Sequence, residues 1–342
     1  MTDNKTRRWR LAAAALAVLA VAACGGQSGS QTVANPNASR PASMTQVTLV
    51  LDFVPNAVHA GIYHALASGY YRQQNIDLKI IQPTSTADTL KLIDAGKADF
   101  GLADGIDVAQ QIDLGRDAKA IMALAQRPLG GLITLQSEGL TSPRQLEGKT
   151  VGITGVPSDS AVLDTTVASA GGDPTKVHTV TIGFNGVQDL ENQKVAAFTG
   201  FWPADGVQLQ VSGFPITSFK LDENGGPAYP GLVAFSTRQR IAQDPPLMRA
   251  FVAATAHGYR DTLADPQASL KDLLDENPSL QRNFTTASLQ AYLPLFQADA
   301  PAFGVLRANR VQQLSTWLLR HRLIKKAISP ARYGTDQFLP AS

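Results

Sequence analysis

The chain has 342 residues, 44% hydrophobic and 17% charged, which is enough apolar material for one large core or two modest ones and too much for a disordered chain. Its 30 Lys+Arg against 28 Asp+Glu leave a net charge of +2, too close to zero to point to a nucleic-acid partner. The single cysteine, Cys24, excludes an intramolecular disulfide, and one thiol cannot by itself build a cysteine zinc site or an iron–sulfur cluster.

The first 23 residues read as a lipoprotein signal peptide. Basic Lys5, Arg7, Arg8 and Arg10 precede an apolar run from Leu11 to Ala23 that is too short to span a bilayer comfortably. Val21-Ala22-Ala23-Cys24 then resembles a bacterial lipobox, which implies cleavage before Cys24, a lipid on that thiol and a protein held at the outer face of the cell membrane. Thr6-Arg7-Arg8 is part of a twin-arginine pattern, but Arg10 stands where that pattern prefers an apolar residue, so the export route stays open. Removing the leader takes away four basic side chains and one acidic one, and the mature chain is nearly neutral. Residues 24–45, rich in Gly, Ser, Asn, Gln and Pro, have the composition of a flexible tether.

From Gln46 short β-branched runs alternate with amphipathic segments. The pattern predicts strands at 47–51, 78–81, 98–103 and 120–124, with helices over 57–69 and 87–95 between them. A second set follows: strands at 132–135, 149–154, 178–184, 195–201 and 215–219, with helices from about Ser158 to Ala170 and near 187–193. After GLVAFS at 231–236 the text is helical over 245–264, 267–275, 285–296 and 307–325. Strand and helix in alternation is the signature of a parallel sheet covered by helices, and the length exceeds what one core usually serves. The expected fold is therefore α/β, a two-lobed clamshell with two hinge crossings: lobe 1 from 46–127 plus 228–342, and lobe 2 from 128–227.

Open parallel sheets bind ligands where the carboxyl ends of their strands meet helix N-termini. Four such places carry candidate ligand-binding residues. After the first strand, Asp52 and Asn56 offer a carboxylate and an amide, Phe53 and Tyr63 flat faces, and His59 an imidazole in the first helical turn, together able to frame a planar heterocycle. After the third strand come Asp104 and Asp107, as acceptors for an amino group or as helix caps. Between 154 and 160, Gly155 permits close backbone approach and Ser158 and Ser160 add hydroxyls to the exposed N–H groups of a helix start, suiting a sulfonate, nitrate or phosphate as well as a carbonyl. This loop lacks the P-loop pattern of an ATPase. The fourth place joins Phe184 and Asn185 to Trp202 and Asp205, two rings for stacking, an amide and an acid for an exocyclic amine.

The string LDFVPNAVHAGIYHALASGYYRQQNIDLKI, followed by IDAGKADFGLAD, RPLGGLITL, LEGKTVGI and WPADG, resembles the thiamine-pyrimidine precursor binding family of the periplasmic-binding-protein type II superfamily, over most of 46–237. The resemblance implies an ABC importer's solute-binding component that closes on an aminopyrimidine, with permease and ATPase subunits as partners. It also implies an acid at the position of Asp205. Phe53 departs from the family's usual Trp, which removes an indole donor and makes riboflavin, used by near relatives, the runner-up. A fungal branch is a pyrimidine synthase that consumes its own histidine and anchors pyridoxal phosphate on a lysine. Ala103 and Asp107 stand where its lysine and histidine fall, so neither the Schiff base nor the sacrificed imidazole is available here. The sequence thus predicts a monomeric binding protein with no enzymatic activity, no cofactor, no metal site and no nucleic-acid partner.

Overall fold

The computed structural model describes residues 44–340; the expected signal peptide, the expected lipidation site Cys24 and nearly all of the expected tether lie outside them. Two five-stranded sheets organise the chain. β1 (Thr45–Val50), β2 (Ile76–Ile81), β3 (Phe100–Ala103) and β4 (Lys119–Ala125) belong to the first. β5 (Gly130–Leu135), β6 (Thr150–Ile153), β7 (His178–Thr181), β8 (Ala197–Phe201) and β9 (Ile216–Lys220) make the second, after which β10 (Leu232–Ser236) returns to the first. The spatial orders are β2-β1-β3-β10-β4 and β7-β6-β8-β5-β9.

Neither sheet is all-parallel, contrary to the reading from strand and helix alternation. β10 pairs antiparallel with both β3 and β4, and β5 pairs antiparallel with both β8 and β9. The reason lies in the crossings. β4 runs on into β5 through residues 126–129 with no helix to bring the chain back, so β5 enters the second sheet against the direction of β6 and β8. β10 makes the same kind of entry on return.

β4, β5 and β10 are apolar and buried on both faces for nearly their whole length, as expected of strands with cover on either side. The cover of the first sheet comes largely from the helical end of the chain. The helix Pro245–Ala264 packs on the helix Ala60–Ala67, and the Tyr259 hydroxyl donates to the Val58 carbonyl at 2.7 Å. The helix Ala308–Arg320 buries Val311, Leu314, Trp317 and Leu318; it stops five residues short of the expected 325, with Arg322 turning the chain at φ 60°.

The two crossings are fastened to each other. The Gly231 N–H donates to the Ala125 carbonyl at 2.9 Å, and a methyl group on Gly231 would sit 2.1 Å from the Arg127 carbonyl oxygen, which restricts this position to glycine. Arg127 also forks onto Asp222, its Nε donating at 2.7 Å. Among the described residues no helix is long and apolar enough to cross a membrane, and no group of three or more His, Cys, Asp and Glu side chains is placed to hold a metal ion.

Candidate functional site

A cavity of about 70 Å³ lies where the two sheets face each other. Its first-sheet wall begins with the loop after β1. Asn56 caps the following turn, its Oδ1 accepting from the Val58 N–H at 2.9 Å, while its own backbone N–H donates to Nδ1 of His59 at 3.2 Å. Because Nδ1 is the acceptor there, the ring proton sits on Nε2, which donates to Asp52 Oδ1 at 2.9 Å. His59 is therefore a neutral imidazole, fully buried, that orients Asp52 toward the cavity.

The second part of that wall is the start of the helix Gly105–Asp113. Asp104 caps it through the Ile106 N–H at 2.8 Å and takes the Tyr229 hydroxyl at 3.1 Å. A Cβ on Gly105 would lie 2.4 Å from the Pro230 carbonyl oxygen, so glycine lets the second crossing press against this helix start. One turn on, Asp107 Oδ1 accepts the backbone N–H of Ser158 from the opposite sheet at 3.0 Å. Burial pushes the Asp104 carboxyl well up, and the neighbouring Asp107 charge adds to it. Asp107 is pushed up to about 7, first by burial and also by the Asp159 charge, with hydrogen bonds from Ser158 opposing.

On the second-sheet wall Asp159 is the best-served carboxylate. Its Oδ2 takes the N–H groups of Gly155 at 2.7 Å and Val156 at 2.9 Å and the Thr154 hydroxyl at 3.0 Å; its Oδ1 takes the Thr199 hydroxyl at 2.5 Å. Trp202–Gly206 forms one wide π-type turn after β8, a geometry frequent at functional sites, and Asp205 within it accepts the Phe201 N–H at 2.8 Å. Burial raises Asp205 to about 6.

Of the residues singled out from the sequence, Asp52, Phe53, Asn56, Asp104, Asp107, Ser158 and Asp205 line this one cavity. The others sit elsewhere. His59 stands behind Asp52. Tyr63 is buried beside Asn277 and Glu276, away from the cavity. Phe184 meets Phe53 edge-to-face, ring centres 4.2 Å apart, without lining the cavity. Asn185 is exposed at the start of the helix Gly186–Glu191, and Ser160 lines a neighbouring recess with Asp164 and Thr181. Trp202 packs against the first-sheet core with Lys220 4.5 Å over its ring, so the aromatic face offered on this side is Phe201. Sequence reasoning passed over Asp159, Thr199 and Phe201. An acid three residues after Val156, at the third position of a helix start, was the available signal for Asp159.

Asp52, Asp104, Asp107, Asp159 and Asp205 all reach the lining, and no Lys, Arg or His does. Such a wall offers acceptors to amino groups and supplies no positive charge to hold an anion.

Residues 56–269 match the family model described as NMT1/THI5 like, and the chain belongs to that family. Among curated proteins it is 27% identical to a formylaminopyrimidine-binding protein of Halalkalibacterium halodurans over 92% of this chain and 94% of that one. It is 29% identical to the riboflavin-binding protein RibY of Chloroflexus aurantiacus over 95% and 96%, and 28% identical to a 4-amino-5-hydroxymethyl-2-methylpyrimidine phosphate synthase of Legionella pneumophila over 86% and 93%. Among solved structures, the alkanesulfonate-binding protein SsuA of Xanthomonas axonopodis pv. citri superposes with a TM-score of 0.68 at 16% identity, covering 85% of this chain and 98% of that one. The fold is thus the two-lobed periplasmic-binding-protein type.

Proposed function

We propose that this member of the NMT1/THI5-like family is the solute-binding component of an ABC importer that closes on a small amino-bearing heterocycle of the thiamine-pyrimidine type. In this reading the protein is exported, cut before Cys24 and held to the membrane by a lipid there. Residues 46–127 with 228–342 move as one lobe and 128–227 as the other. It works as a monomer and delivers its solute to a permease driven by an ATPase.

The observation that carries the reading is the cavity wall: five carboxylates from both sheets, two phenylalanine faces and no basic side chain. An aminopyrimidine presents N–H donors along one edge and a flat ring to stack, and both needs are met. The same wall opposes sulfonate, nitrate and phosphate. A synthase reading lacks the amine and imidazole it needs, since Ala103 closes β3 as a buried methyl and the carboxylate of Asp107 is engaged with Ser158.

Calorimetric titration of the mature protein with 4-amino-5-hydroxymethyl-2-methylpyrimidine, riboflavin and ethanesulfonate tests this. Saturable one-to-one binding of the pyrimidine and none of the sulfonate is expected. Sulfonate binding with no response to either heterocycle would overturn the reading.

A further inference from the structure

The helix Pro157–Ser169 begins without a cap of its own. Its N-cap residue is Val156, whose side chain has no acceptor, and Asp159 reaches back only to the N–H groups of Val156 and Gly155. The next N–H in line, that of Ser158, is taken by Asp107, which sits on the helix Gly105–Asp113 beneath the other sheet and is 2% exposed. The cap of a lobe 2 helix is thus supplied in trans by lobe 1, and it exists only while the lobes are together.

We propose that Asp107 gates closure: bringing the lobes together buries its carboxylate among other acids with only the N–H and hydroxyl of Ser158 to serve it, so the empty protein closes poorly until a ligand's donors or a proton compensate the charge. This deepens the proposed function by giving one lining residue a control role, and it is tested without any ligand.

The groups around Asp107 set the sign. On its own helix is Asp104, with Asp52 in electrostatic reach behind it; from the opposite lobe come Asp159 and the Ser158 hydroxyl; Tyr229 and Tyr333 face the pair from the second crossing and from the helix Pro330–Tyr333. All the ionisable groups in this set are acids, and no Lys or Arg lines the cavity. With the two sheets facing each other burial holds the Asp107 carboxyl up at about 7, and parting the lobes is expected to return it toward its ordinary value. A group whose acidity falls on closing takes up a proton, so closure strengthens as pH falls below about 7 and levels off at its weakest above it, where the carboxylate is ionised in both states. The effect approaches tenfold in the closed-to-open ratio per pH unit between about 7 and 5 for one such proton.

The experiment places spin labels on Leu114→Cys and Val180→Cys, exposed positions on lobes 1 and 2, in a Cys24→Ser background, and reads the distance distribution of the ligand-free protein from pH 8 to pH 5. The closed population is expected to grow on acidification. Asp107→Asn keeps an acceptor for the Ser158 N–H without the charge. It is expected to be more closed than the parent at pH 8, by at least about tenfold in the ratio, and to lose one proton's share of the pH slope; Asp104 and Asp205 supply the remainder. Asp107→Ala, with no acceptor, is expected to stay more open than Asp107→Asn at every pH. An unchanged slope in Asp107→Asn, or identical distances in the Asn and Ala variants, overturns the proposal. The titrations above fail or succeed independently: a protein that gates in this way yet binds no heterocycle would reject the solute and keep the gate.

Discussion

Asp159 and Asp107 stand on opposite walls of one cavity, both nearly inaccessible to solvent, yet they are built for different work. Asp159 receives four donors, three from its own loop and one from the adjacent β8, all within lobe 2. Asp107 receives its backbone donor from Ser158, at a helix start on the opposite wall. The first is served by donors of its own sheet and loop. In the proposed clamshell motion the second would exchange water for the N–H and hydroxyl of Ser158. Residue type and burial are the same, so the origin of the donors decides whether a carboxylate is scaffold or switch.

The strongest way to break that contrast is to remove the scaffold. Asp159→Ala leaves two part-buried N–H groups and two hydroxyls without their acceptor, and is expected to cost about 2–4 kcal/mol in urea unfolding. A loss below about 1 kcal/mol would mean that water serves those donors as well as the carboxylate does. Asp107→Ala is expected to be far milder in the same assay, because its lobes can part without unfolding.

A middle-sized effect belongs to His59. It is bound on both ring nitrogens inside lobe 1, so His59→Ala orphans the Asn56 N–H and strips Asp52 of its donor. A loss of about 2–3 kcal/mol in stability is expected, together with at least tenfold weaker binding of the aminopyrimidine as Asp52 loses its orientation. Unchanged binding in a folded variant would separate Asp52 from the site.

The smallest effect expected is at Trp202. Its ring packs on the core and under Lys220 rather than along the cavity, so Trp202→Phe is expected to alter pyrimidine affinity by less than about threefold in calorimetry, within a single weak packing contact. A loss of tenfold or more would bring the indole into the ligand's surroundings.

These contrasts also mark where the sequence could be read and where it could not. Strands such as β1, β4, β5 and β10 announced themselves as apolar runs because their own side chains are buried, whereas the direction of β5 and β10 depends on the crossings that lead into them. Asp52, Asp104 and Asp205 were legible as acids at strand ends. His59 was seen as a ligand contact because its partners, Asp52 and the Asn56 N–H, lie close in sequence but meet it only through the turn geometry. Within 154–160 the serines attracted notice as hydroxyl donors, but helix phase sends Ser160 outward to a neighbouring recess and turns Asp159 inward. At 201–205 the wide turn presents Phe201, a displacement of one residue that no propensity signals.

The joined crossings have a mechanical consequence. With Gly231 bonded to Ala125, pressed against Arg127, and Arg127 clasped to Asp222, the two strips of backbone between the lobes act as one ribbon. A ribbon resists in-plane shear far more than bending, which in the proposed importer component would leave the lobes a swing about one line. Occupancy of the cavity would thereby be translated into a single angle, and a surface that touches the rims of both lobes could measure that angle without ever contacting the solute.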